Sequence, residues 1–383
     1  MEPVTPSTGT TVDARDAAVL ERLSLLDRFL PVWIGLAMLG GILLGRLIPG
    51  VSEALEAFKI DTVSLPIAIG LLVMMYPPLA KVRYGQLGEV VADRRLIVAS
   101  LVLNWLIGPA LMFTLAWLML PDLPEYRTGL IIVGLARCIA MVLIWNDLAC
   151  GDRDAAAVLV AINSVFQIVA YSLLGYFYLS VLPGWLGLEQ QVLDVSLWQI
   201  TQAVLVFLGI PLLAGYLSRT LGEKRKGREW YEGTFLPRIG PWALYGLLAT
   251  VVMLFALQGD QITSRPLDVG RIALPLLAYF ALMFGISFLT GLRVGLNYER
   301  NATLSFTAAG NNFELAIAVA IGVFGATSGQ ALAGVVGPLI EVPVLVGLVY
   351  VALWARRRFY NVSTTEPTDR HGHDKGESPG THR

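Results

Sequence analysis

Charged residues are scarce in this sequence: Asp, Glu, Lys and Arg make up 15% of its 383 residues, whereas hydrophobic residues make up 55%. Soluble globular chains carry about 25% charged residues. The net charge of -1 also argues against the basic surface that nucleic-acid binding requires. This composition is typical of an integral membrane protein, which contacts the lipid bilayer and is not expected to bind nucleic acid.

Cysteine and histidine are nearly absent. Cys138 and Cys150 are twelve residues apart, which is about 18 Å along a helix and too far for a disulfide. The three histidines, His371, His373 and His382, all lie in the polar C-terminal tail. Because the apolar segments hold no imidazole for a metal site or a proton relay, proton chemistry there falls to carboxylates. An intramembrane cysteine enzyme is also disfavoured, since the thiol has no histidine base.

Long apolar runs are abundant, and spanning the hydrocarbon core takes about 20 mostly apolar helical residues. The runs predict ten transmembrane helices, at about 29–48, 63–80, 96–120, 128–148, 155–182, 197–218, 239–258, 270–292, 301–323 and 331–355. Residues 1–28 and 357–383 are polar and are predicted to be cytoplasmic tails, the second of them disordered. The sequence therefore predicts one all-α integral membrane domain over residues 29–356, without a cofactor or a resident metal.

The basic residues indicate the orientation of this domain. Most of the 28 Lys and Arg fall in the two tails and in the loops on the same side. The loops on the opposite side hold only Lys59, Arg127 and Arg265. Because Lys and Arg accumulate in cytoplasmic loops, both termini are predicted to be cytoplasmic, in a multi-pass protein of the cell (plasma or inner) membrane.

The two halves of the domain, about 29–182 and 197–355, show weak similarity to each other. At a shift of 173 residues, Ala136-Arg137-Cys138 aligns with Ala309-Gly310-Asn311, and at a shift of 174 residues Gln167 in the fifth span aligns with Glu341 in the tenth. Because each half holds an odd number of spans, the second copy is inverted in the membrane relative to the first. The predicted architecture is two inverted five-helix repeats.

Polar residues interrupt the fourth and ninth spans at matching depth. Arg137 lies in mid-span beside Cys138, where a charge is costly unless it is paired or hydrated. Ala-Ala-Gly-Asn-Asn at 308–312 interrupts the ninth span. Paired interruptions in corresponding spans indicate a substrate site at the membrane midplane, where the ends of broken helices meet. The candidate substrate-binding residues are Cys138, Asn311, Asn312 and Glu314.

Each of these residues has a structural interpretation and a functional one. A buried cysteine is usually a small packing residue, but the adjacent Arg137 favours the thiolate, which makes Cys138 a better ligand for a soft metalloid. Arg137 and Glu314 can form a structural ion pair, or Glu314 can change partner during transport. Glu341 lies between two prolines and can satisfy the backbone groups that they free, or carry a proton. The candidate proton-coupling residues are Glu314, Glu341 and Arg137.

Three neutral amides, Asn104, Asn163 and Gln167, also lie within predicted spans. Amides inside a membrane more often hydrogen-bond between helices than bind a ligand. These residues are therefore second-rank site candidates.

Five segments resemble signature segments of the arsenical-resistance arsenite efflux permeases, which belong to the bile acid, arsenite and riboflavin transporter superfamily. They are DRFLPVWIGLAMLGGILLGRLIPG at 27–50, SLPIAIGLLVMMYPPLAKVRY at 64–84, GLARCIAMVLIWNDLACGDRD at 134–154, FTAAGNNFELAIAVAIGVFG at 306–325 and GPLIEVPVLVGLVYVALW at 337–354. The resemblance implies core and panel domains in which helices four and nine are broken and cross. It also implies that Cys138 is the essential cysteine of the fourth span and Glu314 the acid of the ninth.

By this resemblance the protein is a secondary transporter, not an enzyme, that exports arsenite, and in some members antimonite, in exchange for protons. It would thereby confer arsenic resistance. Arsenic(III) is thiophilic, and a single mid-membrane thiol, assisted by amides and a carboxylate, can hold it reversibly. A sodium-coupled organic-anion carrier of the bile acid type and a passive arsenite channel are the alternatives. A homo-oligomer is compatible with the sequence.

Overall fold

The computed structural model describes residues 29–48, 50–60, 63–82, 93–139, 141–188, 197–264 and 266–360. The predicted tails at 1–28 and 361–383 lie outside the described residues. The described chain is almost entirely helical. It also contains a short antiparallel hairpin of β1 (Lys59–Ile60) and β2 (Val63–Ser64).

The helices are numbered in chain order. They are α1 (Leu30–Leu47), α2 (Val51–Ala57), α3 (Leu65–Lys81), α4 (Arg94–Met119), α5 (Pro124–Leu135), α6 (Met141–Leu148), α7 (Arg153–Trp185), α8 (Leu197–Lys226), α9 (Arg228–Trp230, Tyr231–Phe235 and Leu236–Ser264), α10 (Pro266–Arg293), α11 (Tyr298–Ala309), α12 (Phe313–Phe324) and α13 (Gly329–Phe359).

Every predicted span coincides with helical residues, the fourth with α5 and α6 and the ninth with α11 and α12. Six of the described helices are long and apolar enough to cross a membrane: α4, α7, α8, α9, α10 and α13. Large apolar side chains, such as Leu118 and Trp185, are exposed on the outer faces of these helices. Outward-facing apolar side chains suit contact with lipid, and the protein is a multi-pass membrane protein.

Prolines account for local irregularities in four long helices. Wider, π-helical turns lie at Leu103–Ile107, Phe177–Val181, Leu205–Gly209 and Tyr231–Phe235. Each turn ends two residues before a proline, namely Pro109, Pro183, Pro211 and Pro237. A proline ring clashes with the carbonyl one turn earlier, and widening that turn moves the carbonyl away. The helices therefore continue through these prolines.

One group of helices, here called the flanking group, consists of α1, α3, α8 and α9. Within it α9 packs against α1 and α3, and α8 packs against α3. Glycines allow the close approach: a Cβ added at Gly41 of α1 would lie 2.5 Å from the Val252 carbonyl oxygen of α9. A Cβ at Gly246 of α9 would lie 2.8 Å from the Met74 nitrogen of α3. Small residues thus bring the backbones of this group together, as is common between membrane helices.

The crossed group consists of α4 to α7 and α10 to α13. Within it α10 packs against α4, α11 and α13, and α13 also packs against α5 and α12. Large buried rings fill its interior, including those of Tyr279, Phe280, Phe306 and Phe313. Helix α8 also contacts α7 and α12, so it connects the two groups. The cavity described below lies between the groups.

Candidate functional site

Two helices break where the polar interruptions lie in the sequence. Helix α5 ends at Leu135 and α6 begins at Met141; helix α11 ends at Ala309 and α12 begins at Phe313. Ala136 and Gly310, which follow the first halves, both have extended backbone conformations. Four helix ends consequently face one small region inside the crossed group.

The two connections run antiparallel to each other. Arg137 pairs with Asn311 in a single β-bridge. On either side of the bridge, the Cys138 N–H donates to the Gly310 carbonyl at 3.3 Å and the Asn312 N–H donates to the Ala136 carbonyl at 3.1 Å. These bonds satisfy backbone groups that a broken helix leaves open, and a membrane interior cannot supply water to satisfy them.

Gln167 and Glu341 make equivalent hydrogen bonds to the centre of this bridge. Gln167 Oε1 accepts from the Arg137 N–H at 2.6 Å, and Glu341 Oε1 accepts from the Asn311 N–H at 3.4 Å. Each acceptor follows its donor by thirty residues. The sequence alignment at a shift of 174 correctly pairs Gln167 with Glu341, whereas the shift of 173 places Arg137 on Gly310 rather than on Asn311, its partner in the bridge. In this structure Glu341 accepts from a backbone N–H freed by the break between α11 and α12, not from a group freed by Pro338 or Pro343, and Gln167 does the same in the other half.

Arg137 is fully buried, and its guanidinium binds at the ends of both broken helices. It donates to the Gly134 carbonyl of α5, to the Ala308 carbonyl of α11 at 3.4 Å, and to the Tyr279 hydroxyl at 2.9 Å. The C-terminal end of a helix carries partial negative charge, which stabilises a nearby cation. None of these bonds goes to Glu314, so the ion pair considered from the sequence is not formed in this structure. Tyr279 was missed, because one hydroxyl in an apolar run is a weak signal.

Cys138 and Asn312 occupy equivalent places before the second halves of the broken helices. Cys138 is 3% exposed, is not in a disulfide, and its Sγ accepts from the Val142 N–H of α6 at 3.3 Å. Asn312 caps α12, with its Oδ1 accepting from the Leu315 N–H at 3.0 Å. The Cys138 sulfur is therefore positioned at the N-terminal end of α6, next to the helix crossing.

A cavity of about 190 Å³ lies between the flanking and crossed groups. Its polar lining residues are Lys81, Asn312 and Glu314, and the remaining walls are mainly apolar. Ile139, directly after Cys138, lines the cavity, whereas Cys138 and Asn311 lie behind that wall. The structure thus brings Asn312 and Glu314 to the cavity and Cys138 next to it. Lys81 was not predicted, because the sequence places it only at the end of a span.

The second-rank amides separate into two sets. Gln167 belongs to the crossing, as described above. Asn163 Oδ1 accepts from the Trp105 indole N–H at 3.3 Å, which joins α7 to α4. Asn104 Nδ2 donates to the Ser100 carbonyl of its own helix at 2.8 Å. Asn163 thus joins two helices, Asn104 bonds within its own helix, and neither residue is among those that line the cavity.

Comparisons with known proteins place this arrangement in a family. Residues 68–265 match the model of the sodium bile acid symporter family. The arsenical-resistance protein Acr3 of Corynebacterium glutamicum is 62% identical over 347 residues, which cover 91% of this chain and 94% of that protein. This chain belongs to the Acr3 arsenical-resistance permease family.

Two more distant relatives also match most of this chain, and one of them is named Acr3. The Acr3 of Alkaliphilus metalliredigens is 32% identical over 351 residues, covering 89% of this chain and 96% of that protein. An uncharacterized transporter of Synechocystis sp. is 38% identical over 358 residues, covering 88% and 91%. The resemblance to arsenite efflux permeases is thereby confirmed. In this Acr3-family chain, the crossed helices and the adjoining cavity are the candidate transport site.

Proposed function

We propose that this protein exports arsenite from the cytoplasm in exchange for protons and so confers arsenic resistance. The observation that carries the proposal is the crossing of two broken helices, which sets a thiol, an amide and a carboxylate beside one cavity. Two relatives in the same family are named arsenical-resistance proteins. A thiol is the side chain best suited to arsenic(III).

The architecture that we propose for this function is a ten-helix inverted repeat. The equivalent hydrogen bonds of Gln167 and Glu341 to the two residues of the antiparallel bridge support it. The flanking group would be the panel domain and the crossed group the core domain. Both termini would be cytoplasmic, and the protein would lie in the cell membrane. Rocking of the two groups would open the cavity to each side in turn.

The Cys138 thiol would bind arsenite reversibly. Condensation of the thiol with As(OH)₃ forms one S–As bond, and the thiol proton leaves with a displaced hydroxide as water. The two remaining hydroxyls would receive hydrogen bonds from, or donate them to, Asn312 and Glu314. Reaching the cavity requires the Cys138 side chain to turn away from the α6 N-terminus past Ile139. One sulfur contact, unlike a trithiolate cage, lets hydrolysis release the solute, and antimonite could be bound by the same chemistry.

Glu314 would couple export to protons. It lies in the first turn of α12 and lines the cavity, where it can meet both solute and water. A carboxylate accepts hydrogen bonds from arsenite hydroxyls, and protonation removes part of that capacity. Proton entry from outside would therefore promote release and return the carrier. Glu341 would be a second proton carrier, and Arg137 would hold the helix ends in place during the movement.

Arsenite accumulation in everted membrane vesicles tests this function. Vesicles with an imposed proton gradient should accumulate arsenite, and an ionophore that collapses the gradient should abolish accumulation. Glu314→Gln should fail to accumulate arsenite under the same gradient. Accumulation that persists without the proton gradient but requires sodium would instead identify a sodium-coupled carrier. Equilibration without accumulation in either gradient would identify a channel.

A further inference from the structure

The cavity carries opposite charges on its two walls. Lys81 is the last residue of α3 in the flanking group, and Glu314 lies in α12 of the crossed group. Of the described residues that line the cavity, these two are the ionisable ones. Two unlike charges facing one apolar-walled space attract each other more strongly than they would in water. A movement of one group against the other changes the distance between them.

The backbone of Lys81 is held in place by other residues. Arg219 of α8 donates to the Lys81 carbonyl at 3.1 Å, and the Tyr231 hydroxyl donates to the Ala80 carbonyl at 3.2 Å. Arg219 therefore caps the end of α3. The Lys81 ammonium is not required for that purpose.

The surrounding charges do not compete for Lys81. Arg219 is itself paired with Glu223 at 2.9 Å and with Glu232 at 2.7 Å. Glu341, the other acid near the crossing, accepts from the Asn311 N–H. In the described ion pairs, Lys81 is not a partner of Arg219, Glu223 or Glu232.

The Lys81 side chain is exposed and lies beside α9. Its Nζ would be 3.7 Å from a Cβ added at Gly240, which is an ordinary van der Waals distance. In this structure Lys81 and Glu314 line the same cavity without a described ion pair between them, so pairing requires the two helix groups to close on the cavity.

We propose that Lys81 is a coupling residue, whose ammonium pairs with the Glu314 carboxylate when the carrier is empty and thereby holds the two helix groups together. Arsenite or a proton at Glu314 breaks the pair and frees the groups to move. The empty carrier with deprotonated Glu314 then cannot change between its inward-open and outward-open conformations. This restriction is what couples arsenite export tightly to proton entry. The inference rests on the proposed function.

Separate measurements of exchange and accumulation test the proposal. Exchange of labelled arsenite at equal concentrations inside and outside requires only that the loaded carrier changes conformation. Accumulation also requires that the empty, deprotonated carrier does not change conformation. Lys81→Gln and Lys81→Met should keep the wild-type exchange rate but lose accumulation by about 10-fold or more, a typical coupling factor. Lys81→Arg, which keeps the charge, should accumulate arsenite as the wild type does.

The outcomes separate this inference from the proposed function. Accumulation at the wild-type level in both neutral variants overturns the role of Lys81. Loss of exchange together with accumulation in both neutral variants also overturns it, because the residue would then be needed for the loaded carrier. Failure of the wild-type protein to exchange or accumulate arsenite refutes the proposed function itself.

Discussion

Replacing Arg137 by methionine tests how the broken helices are held together. Methionine has a similar length but no charge and no donors, so the Gly134 and Ala308 carbonyls and the Tyr279 hydroxyl lose their partner. No water reaches this fully buried position to replace it. We expect Arg137→Met to lower the thermal stability of the protein and to abolish transport.

The size of the effect follows from the three hydrogen bonds of the guanidinium. Each bond to a charged donor contributes about 1.5–3 kcal/mol, but part of this is offset because burial of the charge is itself unfavourable. A net loss of about 3–5 kcal/mol is expected, as for a broken buried pair. At about 1–1.5 °C per kcal/mol for a chain of this size, the melting temperature should fall by about 5 °C.

Thermal unfolding in detergent, followed by size-exclusion chromatography after heating, measures this loss. Arg137→Lys should fall between wild type and Arg137→Met, since one ammonium cannot reach both helix ends. The matched control is Arg153→Met, which removes an exposed arginine bonded to Asp147 at 2.7 Å and should change stability little. A melting temperature for Arg137→Met equal to that of Arg153→Met would refute the reasoning.

Three further changes probe the crossing, the flanking group and the loop between α4 and α5. Gln167→Leu leaves the buried Arg137 N–H without a hydrogen-bond acceptor and should destabilise the protein by about 1–3 kcal/mol in the same thermal assay. Gly246→Val drives a side chain into the backbone of α3 and should reduce the yield of monodisperse protein by size-exclusion chromatography. The Arg271 hydrogen bonds hold the pKa of Asp122 below its ordinary value, so their stabilising contribution is present above that value and is lost as pH falls through the lowered pKa. Melting curves from about pH 7 to about pH 3 should show this loss, and Asp122→Asn should remove it.

The controls for these changes come from the same chain. Gln167→Glu keeps an acceptor for the N–H and should be milder than Gln167→Leu. Gly285→Val introduces the same side chain at a glycine with no atoms within 4 Å of an added Cβ, and it should be tolerated. Equal behaviour of Gly285→Val and Gly246→Val would show that α3 and α9 do not depend on close approach. An unchanged acid limb in Asp122→Asn would show that Asp122 is not its source.

Hydropathy in the sequence predicted where the helices lie and where two of them break. A polar group inside an apolar run has few structural explanations, so Arg137 and the Asn311–Asn312 pair stand out. The alignment of Gln167 with Glu341 also contained usable information, although Gln167 was ranked low as an ordinary interhelical amide. Their equivalent bonds appear only when the two connections are placed side by side.

The partners of individual side chains were not predictable in the same way. The sequence suggested Glu314 for Arg137, but the structure uses carbonyl oxygens and Tyr279, and a backbone acceptor leaves no mark in the sequence. The position of Lys81 in the cavity depends on where α3 ends beside α9, which is a tertiary property. The sequence identified Glu314 from its place after the interruption. It did not identify Lys81, which lies on the opposite wall of the cavity.

The transport of arsenite by Cys138→Ser tests the central claim most directly. Serine keeps the size and polarity of the side chain but cannot form the S–As bond, and Cys150→Ser removes the other thiol as a matched control. In everted vesicles with an imposed proton gradient, Cys138→Ser should lose arsenite accumulation while Cys150→Ser accumulates arsenite as the wild type does. Normal accumulation by Cys138→Ser would contradict the account, because the solute would then cross the membrane without the thiol at the helix crossing.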